Sequence, residues 1–175
     1  MSIIKLGFKV TSNIHVSDPC SVEQSDACSG CFSMARLIPD CKFGEWICHA
    51  RVINMDEWGD RVEYLKAFHA DYEEEEKTFN WQKIGSIGVD SGQVGFFDSK
   101  RLYELKDSIE VYEKCCELTQ EEDVNVFEGL GVVSVSGFGD GFYEIFTCKH
   151  EGATIGLKIV FITEKELQMV ENLEV

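Results

Sequence analysis

The chain has 175 residues with 16 Lys+Arg against 32 Asp+Glu, a net charge of −16. That is one domain's worth of chain, spanning 1–175. Such an acidic surface repels phosphate backbones and argues against nucleic-acid binding. Hydrophobic residues make up 44% and prolines number two, which points to a packed globular chain rather than a disordered one. No apolar run approaches membrane-spanning length, so no membrane association is expected. Met1 to Val10 lacks the apolar core and cleavage site of a secretory signal, which predicts a cytoplasmic protein.

Residues 3–17 alternate as strand, turn and strand, until Asp18-Pro19 stops the ladder. Residues 21–41 form a cysteine-rich loop. The run Trp46 to Ile53 reads as a strand. Residues 61–72 suit a helix or a bent strand, and Glu73 to Glu76 reads as a solvated acidic run. Ile87 and Val89 alternate before Asp90-Ser91-Gly92, and Val94 and Phe96 after it, so a turn joins two strands there. Ser99 is placed to cap a helix over about 99–119, its apolar stripe formed by Leu102, Leu105, Ile109, Tyr112 and Cys116. Strands at 131–136 and 142–149 flank the turn Gly137 to Gly141, and strict alternation runs from Ala153 to Ile162. A short C-terminal helix, or a frayed tail, begins at Glu164. The expected fold is α+β, mainly antiparallel sheet with one long helix and a short one.

Eight cysteines include the pair Cys28-Ser-Gly-Cys31. Zinc held by Cys28, Cys31 and two of Cys20, Cys41, Cys48 and His49 is one reading. Free thiols, some buried as small hydrophobes, is the other. The turns at Asp90-Ser91-Gly92 and Gly139-Asp140-Gly141 each set an Asp beside glycine. Convergence of Asp90, Asp98 and Asp140 would suit a hard divalent cation. Alternatively, each Asp caps its own turn. Asp90-Ser91-Gly92 also has the aspartic-protease form, but the second loop lacks the hydroxyl such enzymes use.

Val16-Ser-Asp-Pro-Cys20, Gly59-Asp-Arg-Val-Glu-Tyr-Leu65, Gly88-Val-Asp-Ser-Gly-Gln-Val-Gly-Phe-Phe-Asp98, and Ser136-Gly-Phe-Gly-Asp-Gly-Phe-Tyr143 with Lys158-Ile-Val-Phe-Ile162 together resemble an uncharacterised family of small bacterial and phage proteins. The resemblance covers most of the chain except the cysteine-rich loop, and it carries no known activity. It implies that Asp18, Arg61, Asp90, Ser91, Gln93, Asp140 and Tyr143 form one ligand-binding site. Three functions follow as expectations. The first is a small soluble binding protein, plausibly phage-encoded, holding a small polar, nucleotide-like ligand. The second is a hydrolase using Asp90 and Asp140 as acid and base or as metal ligands. The third is an acidic inhibitor of a host protein. Binding is favoured over catalysis, and self-association is left open.

Overall fold

The computed structural model describes residues 1–22 and 33–173. In chain order the strands are β1 (Ser2–Val10), β2 (Ile14–Ser17), β3 (Ala35–Ile38), β4 (Gly44–Asn54), β5 (Asp60–His69), β6 (Gln82–Val89) and β7 (Gln93–Asp98). Two helices follow, α1 (Ser99–Glu104) and α2 (Ser108–Glu121). Then come β8 (Val124–Phe127), β9 (Gly131–Val135), β10 (Gly141–His150), β11 (Ala153–Val160) and α3 (Glu164–Leu173). The fold is α+β, and all the strand ladders are antiparallel. A six-stranded sheet runs β1-β4-β5-β11-β10-β6, and a five-stranded sheet runs β3-β2-β7-β9-β8.

Alternation along the strands builds two apolar layers. Phe8, Trp46, Leu65, Ile145 and Leu157 from the larger sheet meet Ile14, Val16, Val94, Phe96 and Val132 from the smaller one. On the far side of the smaller sheet, Phe97, Phe127 and Val133 pack against Leu102 of α1 and against Val111 and Cys115 of α2. The order is therefore sheet, sheet, helices. Among the described residues no helix is long and apolar enough to cross a membrane.

The strand order contains a repeat. β1 to β5 and β6, β7, β9, β10, β11 occupy matching places on either side of a local two-fold axis. That axis passes between β5 and β11 in one sheet and between β2 and β7 in the other. The registers agree in detail. Val10 faces Gly44 and Phe8 faces Trp46, while Val89 faces Gly141 and Ile87 faces Tyr143. The Trp46 Nε1 donates to the carbonyl of Lys42 at 2.8 Å, and the Tyr143 hydroxyl donates to that of Gly139 at 2.6 Å. Each aromatic thus ties down the backbone four residues before it. The second half carries α1, α2 and β8 as an insertion between β7 and β9.

Four sequence expectations need correction. The strands flanking residues 90–92 do not pair with each other. β6 lies in one sheet and β7 in the other, and residues 136–140 likewise cross from β9 to β10. Alternation reports a buried face but not which strand lies beside it. The 99–119 helix is broken at 105–107, because Lys106 has φ +60° and the Asp107 carboxylate caps Ile109 N and Glu110 N at 3.0 Å. The break rotates the buried stripe by one residue, onto Val111 and Cys115, and leaves Ile109 69% exposed. Asp98, not Ser99, caps α1, accepting from Arg101 N. Finally, the acidic run is only partly solvated. Glu73 pairs with Lys5 and Glu76 with Lys66, within a strap of residues 70–81 that crosses the larger sheet. The ambiguous 61–72 segment is mostly strand, and the C-terminal helix is present. Its start is secured by Thr163 and Glu166, whose carboxylate accepts from Thr163 N and Oγ1 at 2.7 Å.

Candidate functional site

Asp18 ends β2 and starts a 3-10 turn, Pro19–Ser21. Proline suits the first position of such a turn, where no amide donor is needed. The Asp18 carboxylate is fully buried. It accepts from Cys20 N at 2.9 Å, Asp90 N at 2.7 Å, Ser91 N at 2.8 Å and Ser91 Oγ at 2.6 Å. Burial alone would raise its pKa, but these donors outweigh burial and lower it. The carboxylate is thus an internal clamp on the arch between β6 and β7.

The second arch lies beside the first. Ser136 N donates to Gly92 O at 2.9 Å. A Cβ added to Gly92 would stand 3.8 Å from the Gly139 Cα. Gly92, Gly137 and Gly139 take φ of +70°, +49° and +103°, a region side chains avoid. The Tyr143 hydroxyl donates toward Ser136 O at 3.1 Å and Gly139 O at 2.6 Å, and Ser136 Oγ also donates to Gly139 O. Tyr143→Phe should cost about 1 kcal/mol, the usual net value of one hydrogen bond. Urea midpoints of the two proteins check this.

The structure therefore brings Asp18, Asp90, Ser91, Asp140 and Tyr143 to one end of the sandwich. Gln93 follows them inward. It is buried, its Nε2 donates to Cys116 Sγ at 3.3 Å, and its Oε1 has no hydrogen-bond partner among the described residues. Arg61 starts β5, where its Nη1 donates to Asp60 O at 2.8 Å, and it forms no ion pair among the described residues. Asp98 sits at the opposite end of β7 and clamps Thr11 and Ser12 of the arch between β1 and β2. The expected convergence of Asp90, Asp98 and Asp140 does not occur. Among the described residues, no three His, Cys, Asp or Glu side chains gather as a metal site.

Of the zinc candidates, Cys28 and Cys31 lie outside the described residues. Cys41 and Cys48 are buried in the core between the sheets. Burial pushes the Cys41 thiol up to about 12 and raises that of Cys48 as well. His49 points to the opposite face of β4 from Cys48, where its ring meets Phe68 at 5.1 Å, so the two cannot share an ion. Cys20 is exposed, and partial burial lifts its thiol to about 11.

Beside the second arch, a 3-10 turn at Asp56–Trp58 brings Trp58 against Phe138 with ring centroids 5.8 Å apart. These rings are 60% and 45% exposed. Asp56, Glu57 and Asp60 around that turn, Asp140 on the second arch and Asp90 on the first are exposed too. Sequence reasoning missed Trp58. The available signal was a tryptophan in an acidic turn closed by Gly59. Compared with family models, with curated proteins and with solved structures, the chain matches none.

Proposed function

We propose that the protein is a binding module that docks a basic segment of a partner protein on the arch end of the sandwich. The observation that carries this reading is the exposed Trp58–Phe138 pair set among carboxylates. A lysine or arginine placed over such rings gains about 0.5–2 kcal/mol from the ring quadrupole. The surrounding aspartates add attraction and speed encounter. The reading keeps the binding function and the protein-partner alternative expected from the sequence.

The nucleotide-like ligand fits this end less well. The Asp90 and Ser91 amides that would cradle a phosphate already donate to Asp18, and the approach is lined by Asp90 and Asp140. The hydrolase reading is weaker for a similar reason. Asp90 and Asp140 make no side-chain hydrogen bond or ion pair among the described residues, so nothing orients them as an acid–base couple.

The test is calorimetric titration with an arginine-rich peptide. Binding should weaken steeply with salt. Trp58→Ala and Phe138→Ala should each weaken it by roughly 3- to 30-fold, with melting temperatures little changed. Affinity unchanged from wild type in both variants, or no binding by the wild type, would overturn the reading.

A further inference from the structure

The outer face of the six-stranded sheet carries a basic row. Register places Lys5, His49, Lys66, Lys158, Phe146 and Lys83 side by side on β1, β4, β5, β11, β10 and β6. Neighbours in such a row stand about 4.8 Å apart, so the row is a continuous stripe. Four lysines therefore share one face in a chain where acids outnumber bases two to one.

Three of the lysines are neutralised. Lys5 meets Glu73, Lys83 meets Glu144, and Lys66 meets Glu76 at 2.6 Å, with both Lys66 and Glu76 side chains under 15% exposed. Two of the three carboxylates come from the 70–81 strap. The strap is seated by Phe79 and Trp81 over Gly156, where an added Cβ would stand 2.9–3.0 Å from their rings.

Lys158 differs. It lies directly across from Lys66 on the local two-fold axis. Its ammonium sits 4.9 Å from the Trp81 ring and 5.1 Å from that of Phe146. It has no carboxylate partner among the described residues. Like charges placed opposite each other are unfavourable in a sheet, and burial together with Lys66 lowers the Lys158 pKa. A half-buried cation walled by two aromatic faces, with a second cation opposite, lacks one negative charge.

We propose that Lys158 and Lys66 form an oxyanion site for a phosphate group, with Glu76 as its built-in competitor. Two ammonium groups match a dianion better than they match a single carboxylate. Trp81 forms one wall of the site, and a phosphate monoester bearing a ring could stack there. The site lies on a different face from Trp58 and Phe138 and does not depend on the docking reading.

The experiment titrates the full chain with inorganic phosphate at constant ionic strength, using chloride as the control and following tryptophan fluorescence and calorimetric heat. Wild type should bind phosphate saturably. Glu76→Gln, which frees Lys66, should bind several-fold tighter. Lys158→Met keeps the stem that packs on Trp81 and should bind at least tenfold weaker, while Lys83→Met should match wild type. Phenyl phosphate binding more tightly than phosphate identifies a monoester site, and equal affinity identifies the free ion. A response no different from chloride in both wild type and Glu76→Gln would overturn the proposal. Equal affinity in Lys158→Met would do the same.

Discussion

Asp18→Ala should be among the most destabilising single substitutions in this chain. Alanine strands the amides of Cys20, Asp90 and Ser91, which all donate to the Asp18 carboxylate. At about 1–3 kcal/mol for each stranded buried donor, with partial relief from entering water, the loss is roughly 3–5 kcal/mol. For a chain of this length that lowers the melting temperature by roughly 6–20 °C. Asp18→Asn keeps the shape and loses the charge, so it should fall between the two. The pH dependence has a definite sign. The folded pKa of Asp18 is lowered. Its stabilisation is therefore complete above the unfolded value of about 3.9 and is lost as pH falls through the folded value. The gap in urea midpoint between wild type and Asp18→Asn should be widest near neutrality and narrow in acid. A gap that stays constant would mean the carboxylate's charge is irrelevant to the arch.

Asp98→Ala should be comparably damaging at the other end of the molecule. The Asp98 carboxylate accepts from the amides of Thr11, Ser12 and Arg101 and from the hydroxyls of Thr11 and Ser12. Its loss frees the arch between β1 and β2 and uncaps α1, a cost of roughly 4–6 kcal/mol. Hydrogen exchange should quicken at Thr11, Ser12 and the first turn of α1 while leaving Asp90 and Ser91 protected. The two clamps are separated by the length of β7, roughly 17 Å at the usual strand rise. The double variant should therefore lose the sum of the single losses to within about 0.5 kcal/mol. A larger departure would show that the arches fold as one unit.

The strands were legible because alternation is a local signal, and β4, β7, β9 and β11 fell where it placed them. Pairing was not legible. Ile87 and Val94 alternate equally well in a hairpin or in strands of two facing sheets, and only the layer assignment separates them. The helix break was present in the sequence as Asp107, an N-cap residue inside an apolar stripe, but the stripe's period concealed it. Asp18, Asp90, Ser91, Asp140 and Tyr143 lie at one end, and there the Asp18 carboxylate is taken up by the arch amides. Asp18 beside Pro19 has the form of a cap, and a cap is what it is. The sequence also invited the wrong comparison, between Asp90-Ser91-Gly92 and Gly139-Asp140-Gly141. The structural counterpart of Val89-Asp90-Ser91, with Asp98 closing its strand, is Val10-Thr11-Ser12, with Asp18 closing its own. Only a valine, a serine and a distant aspartate are shared, too little to stand out without the fold.

The local two-fold axis has one more consequence. In a true homodimer each substitution enters twice, so both sides of the axis must accept it together. When the two halves lie on one chain, that coupling is released and each position can change alone. Trp46 against Tyr143, and an insertion of two helices and a strand on one side only, both record that freedom. So do the two lysines on the axis, one closed by Glu76 and one left open. A symmetric pair would have had to close both or neither.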